Sequence, residues 1–376
     1  MAKVDTGWQL HNTVHADPHP RYASTQNKNL TMNPDWQSFL IQHGATIDAG
    51  IVRHFGDPAA ELNAAAHDTV VCDLGQFGTL RVSGEEAQPF LQNLLSNDIR
   101  EAGGRQAQIS SFNNAKGRLL ATMLTWRAGE EYLLQLPKAL CEPIRKKLGM
   151  YVLRAKVKIG DAGDEIVTLG LSGGKAQQIV LAKFGELPGL PLGIAGTVSA
   201  SAIRTGESRF LVNTTAAHAA ELWTELSRQA QPVGSACWDW LNIRSGIPFI
   251  LPQTQEQFVA QMVNLELIGG VNFNKGCYPG QEIVARMQYL GKLKRRMYLA
   301  HLDGSDVPQP GDELFSADME GQVCGMIVNA APAPGGGCDV LASVQISSRE
   351  QHTVHWKSLQ GAALRFLPLP YPLPDV

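Results

Sequence analysis

The sequence predicts an α+β chain, with two related split β-α-β halves of ferredoxin-like type followed by a small C-terminal β-barrel. Three observations predict it. A strand pattern running into a helix pattern occurs twice in each of two successive stretches between Val70 and Arg228. Helical periodicity stops at Gly291. Beyond it, short alternating runs are cut by turns rich in proline and glycine.

Taken in order, residues 1–33 read as a flexible polar tail. His11, His15 and His19 are spaced four apart, but Pro18 and Pro20 oppose the helix that would align them. A tail is expected there rather than a metal site, and no metal-ligand pattern is expected elsewhere. Residues 34–66 mix short apolar groups with alanine-rich helix formers and carry no evident chemistry. The first half is drawn as 34–160. In it Thr79-Leu80-Arg81-Val82 alternates as a strand, and Ser83-Gly84-Glu85-Glu86 predicts a capping box. Phe90, Leu91, Leu94 and Leu95 give the following helix its buried face, with Pro89 in tension with that helix. Tyr132-Leu133-Leu134 then leads to a helix carrying Leu140, Ile144 and Leu148.

The second half, 161–290, repeats the logic. Val167 to Leu171 read as a strand, and Ser172-Gly173-Gly174 lead into a helix with Ala176, Ile179, Val180 and Phe184 inward. Phe210-Leu211-Val212 precedes a helix with Leu222, Trp223 and Leu226 inward. The barrel and tail are drawn as 291–376, with strands near Arg296–Leu302, Gln322–Val328 and Val340–Ile346.

At 376 residues the chain has room for two or three domains. A net charge of −3 argues against coating nucleic acid wholesale. Six cysteines, none in a C-x-x-C pair, read as free thiols of a reducing compartment. No apolar run is long enough to span a bilayer, so no membrane partner and a cytoplasmic location are expected.

The densest stretch is 271–296, VNFNKGCYPGQEIVARMQYLGKLKRR. Gly276 and Gly280 bracket Cys277, Pro279 suits a first helical turn, and Glu282 follows in that turn. Ile283, Val284 and Met287 predict an apolar face and Gly291 a stop. Cys277 is thereby expected in a tight turn ahead of a helix N-terminus, two residues from Lys275. Dipole and ammonium together favour a thiolate, which makes Cys277 and Lys275 the candidate catalytic residues. The plain alternative is a buried structural cysteine.

The string Lys275-Gly276-Cys277-Tyr278, with Gly280-Gln281-Glu282 and Ile283-Val284-Ala285-Arg286, resembles the signature of the YgfZ family, folate-binding relatives of the glycine-cleavage T-protein. The likeness runs from about Val70 to the C-terminus. It includes Arg81-Val82-Ser83-Gly84, Ser96-Asn97-Asp98, Ala115-Lys116-Gly117 and Asn242-Ile243, while residues 1–60 lie outside it. The resemblance implies a ring of three domains around a cavity for tetrahydrofolate or a derivative. It implies Phe77 and Trp238 as aromatic walls, with Phe77 standing where the family more often has Trp. It also implies Glu207, Tyr278, Gln281, Glu282 and Arg286 as further ligand contacts, although Glu207 reads more plainly as a surface carboxylate in a turn. One departure concerns catalysis. Ala121 and Thr122 stand where T-proteins carry an Asp pair, and no Asp occurs between Asp98 and Asp161.

The function that the resemblance implies is a folate-binding accessory protein supporting iron–sulfur enzymes, including tRNA-modifying ones. Two alternatives stand beside it. One is a folate-dependent aminomethyltransferase or other C1 transferase. The other is a non-catalytic RNA- or protein-binding scaffold, using the basic run at 286–296 (Arg286, Lys292, Lys294, Arg295, Arg296) for weak RNA contact. The preferred reading of that run is a solvated strand end. The chain's status as an enzyme is left open, leaning against.

Overall fold

The computed structural model describes residues 32–374 apart from Val198. His11, His15 and His19 lie outside the described residues. An N-terminal segment comes first. Helix α1 (Pro34–Gln42) begins where Asn33 Oδ1 accepts the N–H groups of Asp35 and Trp36 at 3.1 Å, with Pro34 in the position that needs no donor. Strands β1 (Thr46–Asp48) and β2 (Ile51–His54) form a hairpin. Helix α2 (Pro58–His67) is capped in the same way by Asp57, and β3 (Val70–Asp73) follows.

The first repeat runs β4 (Phe77–Ser83), α3 (Ala87–Gln92), β5 (Gln108–Asn113), β6 (Leu119–Ala128), β7 (Glu131–Pro137), α4 (Lys138–Val152) and β8 (Lys158–Asp161). Its sheet is antiparallel, in the order β5-β6-β7-β4-β8. The second runs β9 (Ile166–Ser172), α5 (Ala176–Phe184), β10 (Ile194–Gly196), β11 (Ala200–Gly206), β12 (Arg209–Thr215), α6 (Ala216–Leu226) and β13 (Gln231–Val233). Its order is β10-β11-β12-β9-β3-β13. Each repeat is thus strand–helix, strands, then strand–helix–strand, and the expected α+β architecture of paired halves holds.

The two sheets differ by one strand. In the first, β4 pairs directly with β8. In the second, β3 lies between the equivalent strands β9 and β13, antiparallel to one and parallel to the other. Strand β3 therefore belongs to the sheet of the second repeat, although residue 160, where the sequence pattern divides the chain, lies far beyond it. The N-terminal helix goes the same way, with Trp36 meeting Trp223 edge-on at 5.8 Å. Residues 258–271 cross in the opposite direction: Phe258, Val263, Leu265 and Val271 are buried in the core of the first sheet.

One local expectation is corrected. Ser83–Glu86 forms no capping box. Ser83 ends β4, and α3 starts at Ala87 with no side-chain cap. The Glu86 carboxylate instead accepts the Lys156 N–H at 2.6 Å, and Gly84, at φ +115°, turns so close to the Lys156 carbonyl that a Cβ would lie 2.1 Å from it. Pro89 falls in the first helical turn, where its missing donor costs nothing.

Helices α7 (Ser235–Arg244) and α8 (Gln281–Tyr289) link the repeats to the last unit. That unit holds β14 (Arg295–Leu302), β15 (Glu313–Ser316), β16 (Val323–Pro332), β17 (Cys338–Gln345), α9 (Ile346–Gln351), β18 (Val354–Trp356) and β19 (Arg365–Leu367). Its antiparallel sheet has the order β18-β15-β16-β17-β14-β19 and curls as an open half-barrel around its own apolar core.

Candidate functional site

Between the two repeat sheets lies a cavity of about 270 Å³. Strand β6 lines it with Thr122, Met123 and Leu124, β7 with Gln135, β12 with Arg209 and Leu211, and α7 with Trp238 and Asn242. Phe77, the first residue of β4, meets Phe249 with ring centroids 4.8 Å apart, and both rings face this space. These walls are flat and apolar, as the face of a planar ligand requires.

Trp238 is 1% exposed. It fits because Gly170 on β9 has no side chain; a Cβ there would lie 2.5 Å from the indole. The guanidinium of Arg209 lies over the ring at 4.3 Å. A π face that the sequence reading assigns to a ligand is therefore covered by Arg209.

Arg209 is the one charged side chain among the described residues lining the cavity. Its Nη1 donates to the Leu241 carbonyl at 3.3 Å and to Ser245 Oγ at 2.9 Å, and its Nη2 to Asn242 Oδ1. Its Nε has no partner, nor has Asn242 Nδ2. Burial pushes the guanidinium down to about 9, with Asp239 opposing, so it stays charged at neutral pH. Opposite, Gln135 Nε2 donates to Thr168 Oγ1 at 3.1 Å, which donates to Asn213 Oδ1 at 2.8 Å.

No carboxylate or imidazole of the described residues lines this space. Thr122 does, but its hydroxyl donates to the Pro248 carbonyl at 3.1 Å and accepts the Ile250 N–H at 3.2 Å. Ala121 is buried. Binding and orientation are within the reach of this constellation, and the Asp239 carboxylate lines the adjoining pocket that shares Phe77, Asn242, Ile247 and Phe249 with it.

The Cys277 loop sits elsewhere. Cys277 is exposed, the other five cysteines are buried, and it is absent from the cavity lining. Lys275 does not turn toward the thiol, contrary to expectation. Its Nζ donates to the main-chain carbonyls of Gln92 (2.7 Å), Leu95 and Asn97 (3.0 Å), pinning the loop to the segment after α3. Burial pushes this ammonium down to about 8. Tyr278 is buried beneath it, Nζ standing 5.2 Å from the ring centroid, and burial pushes the phenol up to about 12. Gln281 Nε2 donates to the Lys275 carbonyl at 3.3 Å. Glu282 and Arg286 are exposed on α8, where Val284 is the buried residue and Ile283 is not. Glu207 is exposed in the β11–β12 turn, which its carbonyl braces by accepting from Gln177 and Arg204.

Of the residues expected at a ligand, Phe77 and Trp238 thus line the cavity. Glu207, Lys275, Cys277, Tyr278, Gln281, Glu282 and Arg286 do not. Arg209, Asn242 and Phe249 do, and the sequence did not single them out as ligand contacts. A lone arginine opening the apolar run Phe210-Leu211-Val212 was the available signal. The basic run also divides: Arg296 is buried against Glu266, Arg295 donates to the Val323 carbonyl at 3.2 Å, and Lys292, Lys294 and Arg286 are exposed. Among the described residues no cluster has the acidic, histidine or cysteine ligands for a metal, and no helix is long and apolar enough to cross a membrane.

The chain matches the family described as the GCVT N-terminal domain over residues 52–265. It is 31% identical over 243 residues to the tRNA-modifying protein YgfZ of Cronobacter sakazakii, a match covering 64% of this chain and 74% of that one. To the tRNA-modifying protein YgfZ of Shigella boydii it is 29% identical over 304 residues, covering 80% and 93%. In fold it is similar to the glycine cleavage system aminomethyltransferase T from Bartonella henselae, with a TM-score of 0.73 at 19% identity, over 91% of this chain and 98% of that one.

Proposed function

The chain belongs to the GCVT N-terminal domain family and to its YgfZ members, and from that premise we propose that it is a folate-binding accessory protein of tRNA modification rather than a C1 transferase. One observation carries the proposal: the cavity between the repeats has aromatic walls and residues with unpartnered hydrogen-bond donors, and no carboxylate among its described lining residues. Phe77 and Phe249 supply the flat faces that a pterin or its aryl neighbour fits, and Arg209 and Asn242 supply the polar end. A bound reduced folate brings one-carbon chemistry to such a site. This chain's own residues there bind and orient it, and exclude water along Met123, Leu124, Leu211 and Ile247. Where a transferase needs a base beside the folate, Ala121 and the committed hydroxyl of Thr122 offer none.

The finer reading places the protein in support of iron–sulfur enzymes that modify tRNA, with tetrahydrofolate or a derivative as ligand and a cytoplasmic location. Cys277 is then the thiol presented to the client, on a loop held rigid by Lys275 and open to solvent. One cysteine supplies too few ligands for a cluster within this chain, so any cluster contact is shared with the client's thiolates.

Calorimetry with tetrahydrofolate tests the binding step. Binding to the wild type is expected, with affinity about tenfold weaker in Phe77→Ala, in line with an aromatic contact of roughly 1–3 kcal/mol. A wild type that gives no heat of binding sinks the folate reading. Loss of tRNA-modifying iron–sulfur enzyme activity in a complementation strain carrying Cys277→Ser tests the thiol, and full activity there removes its role. Methylene transfer from an aminomethyl donor to tetrahydrofolate would instead favour the transferase alternative.

A further inference from the structure

The cavity's polar groups are unevenly matched. Thr122, Thr205 and Gln135 are hydrogen-bonded within the protein. Among the lining residues, the buried side-chain atoms left without partners are Arg209 Nε and Asn242 Nδ2. Both are donors. Arg209 is 6% exposed and Asn242 5%, so neither atom is satisfied by bulk water, and an unpaired buried donor is costly. The two groups are already joined through Nη2 and Asn242 Oδ1, so their free donors sit on one hydrogen-bonded unit. Trp238 holds that unit from beneath the guanidinium.

A ligand edge bearing amino and N–H donors meets no acceptor carboxylate among the described lining residues. A ligand edge bearing oxygen acceptors meets the one charged side chain among the described lining residues, Arg209, with Asn242 bonded to it. We infer that Arg209 and Asn242 form an acceptor-reading clamp that anchors a carboxylate or lactam oxygen of the ligand, and that Trp238 is the platform positioning Arg209 rather than the surface on which the ligand stacks. This rests on the reading that the cavity is the ligand site, and it deepens that reading by naming the group recognised and the residues that recognise it.

The test is calorimetry on the full chain with three probes. Tetrahydrofolate carries both candidate oxygens, 6-methyltetrahydropterin only the lactam carbonyl, and p-aminobenzoylglutamate only the carboxylates. Arg209→Gln is expected to weaken tetrahydrofolate at least tenfold, and to weaken equally whichever fragment carries the anchored oxygen. Asn242→Asp keeps the acceptor that Arg209 Nη2 uses while replacing the free donor by a carboxylate oxygen, and it is expected to weaken the same probes. It carries the test should Arg209→Gln fail to fold. Trp238→Phe is expected to retain most of the affinity and Trp238→Ala to lose as much as Arg209→Gln, as a positioning platform requires. Unchanged tetrahydrofolate affinity in Arg209→Gln, or in Asn242→Asp, overturns the clamp and leaves folate binding standing. Binding of p-aminobenzoylglutamate but of neither pterin, lost in Arg209→Gln, overturns the folate reading and keeps the clamp. A wild type that binds none of the three overturns both.

Discussion

Lys275 shows how much of a site is decided by acceptors with no signature of their own. Its ammonium is held by three main-chain carbonyls 178 to 183 residues earlier in the chain. Removing the cation leaves those carbonyls facing an apolar gap, a loss of the kind that accompanies breaking a buried charge contact. Lys275→Met is expected to lower the unfolding free energy by about 2–4 kcal/mol, read from the urea midpoint at constant slope. A change below about 0.5 kcal/mol would show that the cage is incidental. The same contrast explains what was legible at this scale. Glycines bracketing Cys277 mark a special turn in any reading, and the structure leaves the cysteine exposed there. Where Lys275 would aim was invisible, because carbonyls of Gln92, Leu95 and Asn97 look like any others in a sequence. Arg209 and Asn242 were missed for a related reason: an orphan donor exists only once its neighbours have taken their partners.

Helix α8 and the loop before it behave as one element, hinged on a close backbone approach. Gly280 is the N-cap of α8 at φ +75°, and a Cβ there would lie 2.4 Å from Gly117 Cα and N and 2.6 Å from the Asn114 carbonyl. The β5–β6 turn and the Cys277 loop therefore fit together through two glycines, since a Cβ on Gly117, at φ +70°, would in turn lie 3.1 Å from the Gly280 carbonyl. Gly280→Ala combines a left-handed conformation with backbone overlap. It is expected to destabilise by about 1–3 kcal/mol and to abolish hydrogen-exchange protection in 281–289 while strands β4 and β7 keep theirs. Protection unchanged in α8 would mean that the loop finds another seat. Element patterns were read well where the signal was local: α5 leads off from Gly173 and α6 follows β12, as their apolar spacing requires. The capping box before α3 failed because Ser83 stays in the ladder with β8, a tertiary partner outweighing a helix-start motif.

At the scale of the whole molecule, the repeat was legible because each half carries its own strand–helix periodicity. The exchange of segments between halves was not. Strand β3 is four apolar-rich residues that fit either sheet, and only pairing decides. Its ladder with β9 runs Val70↔Ser172 to Asp73↔Leu169, and its other edge takes β13. Trp36 adds a hydrogen bond from Nε1 to the buried carboxylate of Asp73 at 2.8 Å, tying α1 to the same strand. Division at residue 160 therefore removes a central strand from the second sheet and leaves β9 and β13 with open edges over an unfilled core. A fragment spanning 161–290 is expected to show no cooperative thermal transition alone, and to regain one when mixed with 32–160, because the missing strand arrives from that piece. Cooperative melting of the isolated fragment would show instead that the second repeat closes without β3, and that residue 160 is a true domain boundary.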